Sequence, residues 1–581
     1  MQIIKRITRV DVLVWLPRLV FLAAAAIFLG KYLTYLSAIV QFSYDWEPTD
    51  GDHLNFAHRL AQGLAIYLSL KDGQVLSIYN PLYHGVVAFF GGVHASFSFA
   101  RSVSFLFWLL TPLTVLWYFR KRWGFFYAAT AALFTWLPAE PGMLIDIVQV
   151  NPNSTMAFLF LATLLFATSC TQRSNTAWWE WLVLGAVAAL CFFAKQQGLI
   201  AIAVTIIFLF FQRINLRDVS LVILGFLITF LSTAGYLELL NSGQYLNATL
   251  FDLRKIIIGS QELARKRLIS FLLGANFYFT ICVLLSFVLL VLREREFKKL
   301  SIWQISFVLH IPFLLAILGN FGGGQNYFLS MWISMVLLCI ETVRKFESRL
   351  LAPLNVVVPM LIIAAIVIWT KTDRPDYAVM TCWAVVIVFT VKVSRIDSSR
   401  LFISSVVKES NLQDVHRLIF SNVLLVSLFI NAYVGMKATI HQLAASSLPT
   451  PKLEKMMEDY YQSVSLLVAN KPPLKILTNR NIGAFVSSNL NIENEGATMF
   501  SYAWGVPSAF NRGAILNAIR DQRFDLIATG LQDYPAEVNR EIALHYQPAL
   551  TKEVNLIFGQ VGTVNVYVPR LSLNQTTPKT N

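Results

Sequence analysis

Charge is what this chain has least of. Asp, Glu, Lys and Arg make up 14% of its 581 residues, where a soluble protein carries about 25%. That scarcity, with 56% hydrophobic residues and a mean hydropathy of +0.58, excludes an ordinary soluble enzyme. Several runs of 17 or more residues are almost free of charge, long enough to cross a bilayer as helices. Cysteine is also sparse. Cys170, Cys191, Cys282, Cys339 and Cys382 all fall in or beside apolar runs, which leaves the polar C-terminal part without a disulfide framework or zinc spacing. That part also lacks a glycine-rich phosphate loop, a catalytic-triad motif and a metal-ligand cluster. No internal repeat runs along the apolar part, which weighs against an inverted-repeat transporter.

What is present reads as a mostly α, polytopic membrane protein. Thirteen spans are predicted, at 12–38, 100–119, 123–139, 153–170, 177–194, 197–212, 218–240, 270–292, 302–319, 327–343, 352–370, 377–394 and 418–436. Residues 80–99 hold a proline, two histidines and a glycine pair, so they read as an interfacial or re-entrant segment. The positive-inside bias supports this count. It puts Arg120-Lys121-Arg122, Arg173, Arg213, Arg217, Arg344, Lys345 and Arg349 on the cytoplasmic side, with the N-terminus inside and the C-terminus outside. Loop-holding cations account for most of the net charge of +14, so no nucleic-acid partner is implied. Lys5, Arg6 and Arg9 precede an apolar run too long for a cleaved signal, which predicts a retained anchor.

The expected organisation is a membrane domain over 1–436 and a small α/β extracytoplasmic domain over 437–581. Strands are predicted at Ile476–Thr478, Phe524–Ala528 and Val561–Val568, and a helix at Gly513–Arg520. The outer side then carries a first loop, 40–99, and a long loop, 241–269. The first holds four acids, Asp45, Glu47, Asp50 and Asp52, ahead of a segment with apolar residues at helical spacing. Asp50 falls at or near the N-cap expected for that helix, and solvation at the surface is the expectation for Asp45 and Glu47. A carboxylate at a membrane lip also suits a general base. The long outer loop breaks the charge bias with Arg254, Lys255, Arg265, Lys266 and Arg267; anion binding or contact with lipid headgroups would each explain it. Lys195 stands alone on an outer turn between two short spans, where a cation is costly unless it is used or snorkels to headgroups.

Several stretches together resemble the GT-C glycosyltransferases, the group of the protein O-mannosyltransferases and the aminoarabinose transferases. They are Asp50-Gly51-Asp52 followed by Ala57, Ala61, Gly63 and Tyr67; Tyr79-Asn80-Pro81-Leu82; Arg101; Phe192-Phe193-Ala194-Lys195-Gln196-Gln197; and Gly324-Gln325-Asn326-Tyr327-Phe328. Thirteen spans ahead of an outer α/β domain is also that layout. The family's adjacent acidic pair is here Asp50-Gly51, with Asp52 one step on, so either aspartate stays open as the base. Asn151-Pro152-Asn153 stands where an Arg-Asp commonly opens the fourth span.

The resemblance implies an enzyme moving a sugar, with inversion, from a polyprenyl-phosphate donor to an acceptor hydroxyl on a glycolipid, polysaccharide or protein. The setting would be the periplasmic face of a bacterial inner membrane. Asp50 or Asp52 would act as base. Lys195, Arg254, Arg265, Lys266 and Arg267 would hold the donor phosphate. Tyr79, Tyr83, His84, Gln325, Asn326 and Tyr327 would contact sugar or acceptor. No definite cofactor is implied; a divalent cation on Asp50 and Asp52 stays open, although two carboxylates without a third ligand make a poor site. The competing readings are a transporter or flippase of a lipid-linked anion and an O-antigen polymerase or ligase.

Overall fold

The computed structural model describes most of residues 29–346, with gaps at 31, 47, 69–76, 78, 137–146, 252–260, 274–276, 295–299 and 320–324, and parts of 449–570. The expected spans 352–370, 377–394 and 418–436, most of 12–38, and the candidate Arg254 lie outside the described residues.

The chain is mostly helical. After a helical stretch at 32–41 come α1 (Pro48–Ala61), α2 (Leu82–Gly91), α3 (Phe97–Trp123), α4 (Phe125–Trp136), α5 (Asn153–Gln172), α6 (Trp178–Ala194), α7 (Leu199–Phe211) and α8 (Leu216–Leu240). They are followed by α9 (Gln261–Leu273), α10 (Phe277–Glu294), α11 (Ile302–Ile317) and α12 (Leu329–Phe346). Among the described residues four helices are long and apolar enough to cross a membrane: Phe97–Trp123, Asn153–Gln172, Leu216–Leu240 and Asn326–Lys345. The chain is thus built as a multi-pass membrane protein. Residues 80–99 hold the 10-residue α2, a short turn and the first residues of α3; α2 is about 15 Å of helix against a hydrocarbon core of about 30 Å.

Local signals explain several helix starts. Ser96 caps α3 by accepting from Phe99 N, and Ser301 with Gln304 forms a capping box on α11. Between α6 and α8 the contact is close because both faces carry glycine. A Cβ at Gly185 would lie 1.9 Å from Val222 O, and one at Gly225 would lie 2.1 Å from Leu182 O. Small residues let membrane helices approach in this way.

The C-terminal part contains α13 (Pro451–Val468), α14 (Gly483–Ser488), α15 (Arg512–Arg520) and α16 (Ala536–His545). Its strands β1 (Leu474–Thr478), β2 (Ile492–Asn494), β3 (Leu526–Thr529), β4 (Tyr546–Ile557) and β5 (Gln560–Pro569) form one sheet in the order β2-β1-β3-β5-β4. The first three run parallel, and the β4–β5 hairpin adds antiparallel. Leu474, Ile476, Val464 and Val566 pack into the same buried cluster as the membrane helices, whereas Leu477, Ile515, Ile527 and Ile542 form a second core on the other side of the sheet.

That docking changes the reading of the acid loop. Asp45, expected to be solvated, is 3% exposed. The Tyr461 hydroxyl of α13 donates to its Oδ2 at 3.0 Å, and Asn555 Nδ2 of β4 donates to the Asp45 and Trp46 carbonyls at 3.0 and 3.2 Å. Gly51 has a spatial reason as well: a Cβ there would sit 2.6 Å from the backbone N of Gly483 in α14. A larger residue beside Asp50 would push the C-terminal part away.

Candidate functional site

Two buried charge centres lie near the starts of α1, α3, α5 and α12. The first is Asp50 with Arg101, 2.5 Å apart and both fully buried. Asp50 is not a helix N-cap. It sits in the first turn of α1 and accepts from Trp46 N at 3.2 Å on Oδ2 and from Val150 N at 2.9 Å on Oδ1. Arg101 also donates to the carbonyls of Phe42 at 2.5 Å and Tyr44 at 2.7 Å. The pair therefore ties the first loop to α3 and to the turn ahead of α5. With both oxygens engaged, Asp50 would have to leave these partners to take a proton from an acceptor.

The second centre surrounds Lys195. The break between α6 and α7 exists because Gly198 folds back onto the end of α6, where a Cβ would lie 2.0 Å from Cys191 O. Lys195 is extended at this break (φ −158°) and only 5% exposed. Its Nζ donates to Asn153 Oδ1 at 2.6 Å and lies 4.7 Å from the centre of the Tyr327 ring. The side chain of Gln197 and the charge of Arg267 both reach the Tyr327 hydroxyl. Arg267 is held by a bond to Leu318 O at 2.8 Å. Oδ1 of Asn326 is buried without a hydrogen-bond partner. Buried polar atoms left open in this way are costly unless something fills them.

A histidine pair adjoins this centre. His53 Nδ1 and His84 Nε2 are 2.7 Å apart, and the rings stack at 5.0 Å. Burial pushes both below the usual imidazole range, His84 to about 3, and Lys195 adds to the effect at His53. Both imidazoles are neutral at physiological pH and offer one donor and one acceptor each. Tyr79 packs on His53 at 4.7 Å.

The candidates named from sequence thus separate. Lys195, Tyr327 and Arg267 come together, with Asn326 next in chain to Tyr327 and with His84 and Tyr79 beside them through His53. Tyr83 has a structural task, donating to Ala100 O at 2.8 Å and accepting from Ser104 at 3.0 Å. Lys266 is exposed and paired with Glu262 within α9, while Arg265 lines a separate cavity with Gln261 and Leu315. Gln325 lies in the turn ahead of α12, but its side chain is outside the described residues. Asp52 is buried on α1. Sequence reasoning gave no site role to His53, Asn153 or Gln197, although Asn153 and Gln197 stand within quoted stretches and His53 directly follows Asp52.

The fold has known counterparts. The crystal structure of ArnT from Cupriavidus metallidurans bound to undecaprenyl phosphate matches with a TM-score of 0.52 at 14% identity, covering 94% of this chain and 98% of that one. This chain shares that fold. The apo form of the same ArnT gives a TM-score of 0.51 at 13% identity over the same shares of both chains. An Archaeoglobus fulgidus oligosaccharyltransferase tethered to an acceptor peptide matches more loosely, with a TM-score of 0.46 at 10% identity, covering 94% of this chain and 75% of that one; nothing rests on it. By sequence, no protein-family model and no curated protein matches. The likeness to ArnT is therefore one of fold, over 94% of this chain.

Proposed function

We propose that this protein is a membrane glycosyltransferase that moves a sugar, with inversion, from a polyprenyl-phosphate carrier to an acceptor hydroxyl. The observation that carries the reading is the Lys195 centre: a buried cation between Asn153 and Tyr327, with the unfilled Oδ1 of Asn326 next in the chain. A phosphate is the chemistry such a centre suits, and the ArnT structure of the same fold holds undecaprenyl phosphate. In the transfer, the acceptor oxygen bonds to the anomeric carbon as the bond from that carbon to the phosphate oxygen breaks. Lys195, assisted by Arg267, stabilises the charge that gathers on the departing phosphate. The Tyr327 hydroxyl, Asn326 and the neutral His53–His84 pair supply hydrogen bonds for the sugar. A carboxylate of the Asp50-Gly51-Asp52 stretch takes the acceptor proton. We assign that role to Asp52, because Asp50 is committed to Arg101, Trp46 and Val150. Residues 1–436 form the catalytic membrane part and 437–581 a domain on the outer, periplasmic face of an inner membrane.

The test is transfer by the purified protein in nanodiscs supplied with a polyprenyl-phosphate sugar and candidate acceptors. Lys195→Ala and Asp52→Asn should each abolish most transfer, and Asp52→Asn should still bind donor. A donor that is never consumed but crosses proteoliposomes would make the protein a transporter instead. Full transfer by Asp52→Asn, with loss in Asp50→Asn at unchanged stability, would return the base to Asp50.

A further inference from the structure

The far end of the helix bundle holds a second polar site. Helices α3, α5, α7 and α12 all begin near the Lys195 and Arg101 centres and end together at Arg122, Gln172, Gln212 and Arg344, while α11 runs the other way and starts there at Ser301. The two longest of these, of 27 and 20 residues, set the ends apart by about the 30 Å of a hydrocarbon core, at 1.5 Å per residue. Between the converging ends is a cavity of about 540 Å³, lined among others by Arg122, Trp123, Trp303, Glu341, Arg344 and Lys345. That volume lies within the roughly 300–1,000 Å³ of small-molecule sites.

The chemistry of the lining is specific. It carries three cations against one carboxylate. Arg122 lies over the Tyr118 ring at 4.0 Å. Lys345 pairs with Glu341 Oε1 at 3.0 Å, and Glu341 Oε2 is buried with no hydrogen-bond partner. Such an oxygen calls for an N–H or O–H donor. Trp123 stacks on Phe119 at 3.6 Å and Trp303 adjoins it, the amphipathic rings expected at headgroup depth.

We propose that this cavity binds the headgroup of a membrane phospholipid from the leaflet opposite the Lys195 centre, of the class that joins a phosphate to an amine. Arg122 and Arg344 take the phosphate, and Glu341 Oε2 takes the ammonium. The bound lipid fastens the ends of five helices that the transfer site uses at their other ends.

The experiment uses the full-length protein, stripped of lipid in detergent and titrated with dioctanoyl phosphatidylethanolamine, dioctanoyl phosphatidic acid and inorganic phosphate. Intact-complex mass spectrometry and tryptophan fluorescence read the binding. One saturable ethanolamine-lipid site is expected, weakened tenfold or more in the Arg122→Ala/Arg344→Ala double variant. The Arg122→Lys/Arg344→Lys variant controls for folding and keeps most of the affinity. Glu341→Gln should erase the preference for the amine-bearing lipid over phosphatidic acid. Unchanged affinity in the double alanine variant overturns the site. Equal binding of inorganic phosphate, or no preference for the amine in the wild type, overturns the lipid assignment.

Discussion

The Arg101 and Lys195 centres are both buried cations near the same helix starts, yet their surroundings differ in kind. Arg101 meets a carboxylate at 2.5 Å and two carbonyls, with its buried Nε left open, and its carboxylate partner is itself filled by two backbone N–H groups. The partners of Lys195 include a neutral amide oxygen and the face of a ring, and Oδ1 of Asn326, next to Tyr327 in the chain, is open. A cation met by a carboxylate it holds fast is a scaffold. One held beside neutral groups suits an anion that arrives later. Burial alone does not separate the two, since both cations are almost fully covered.

Breaking the scaffold should have the largest effect. Arg101→Ala leaves the Asp50 charge buried without its partner, which costs about 3–5 kcal/mol. Thermal or chemical unfolding of the detergent-solubilised protein should show that loss, and Asp50→Leu/Arg101→Met should recover much of it. A stable but inactive Arg101→Ala would mean that the pair serves chemistry and that the contrast between the centres is wrong. Lys195→Ala should do the reverse. Removing one preorganised donor to a developing anion typically costs 10²–10³-fold in rate, about 3–4 kcal/mol. Initial transfer rates at saturating donor should fall by that order, with the unfolding midpoint little changed.

Much of the helical layout was legible because hydrophobic runs report membrane burial directly. The span expected at 153–170 is α5, Asn153–Gln172, and the one at 177–194 is α6, Trp178–Ala194. The strand read at Val561–Val568 is β5, because alternation survives where one face of a sheet is covered. Its partner β4 was missed: Tyr546–Ile557 contains Pro548, Lys552 and Glu553, which mask the pattern, and pairing with β5 supplies what propensity does not. Within the site, Lys195 and Tyr327 were visible because a lone cation and an aromatic turn stand out in apolar sequence. Arg101 was noted only as a motif, and Asp45 was placed in water. One feature of the fold explains both. Their partners are far along the chain, Tyr461 and Asn555 for Asp45, and no local pattern reports a contact across 416 residues.

The Asp45 interface gives a smaller effect with a definite sign. Burial, then the neighbouring Asp50 charge, raises its pKa to about 7, against the pull of Tyr461 and Arg101. The unfolded chain releases that proton near 3.8. The stability it contributes is therefore complete below pH 3.8 and is lost as pH rises through about 7. Asp45→Asn keeps a neutral side chain at every pH. Its unfolding midpoint should be flatter than that of wild type between about pH 5 and 8, and higher above 7. Parallel curves would show that the carboxylate is not neutral beneath the C-terminal part.

The smallest effect is expected where the sequence looked most suggestive. Arg265, Lys266 and Arg267 are adjacent in a run that breaks the membrane charge bias, yet they sit on successive faces of α9 and only Arg267 is felt at the Tyr327 hydroxyl. Lys266 and Glu262 are 68% and 63% exposed in an i,i+4 pair at 2.7 Å. Such pairs contribute about 0–1 kcal/mol, less at physiological salt. Lys266→Ala should leave both the unfolding midpoint and the transfer rate within error of wild type, while Arg267→Ala raises the apparent KM for donor several-fold. If Lys266→Ala instead matches Arg267→Ala, and its defect fades in vesicles without anionic lipid, the run acts as a lipid-facing patch. The contrast between the two centres would then have to include the membrane surface beside them.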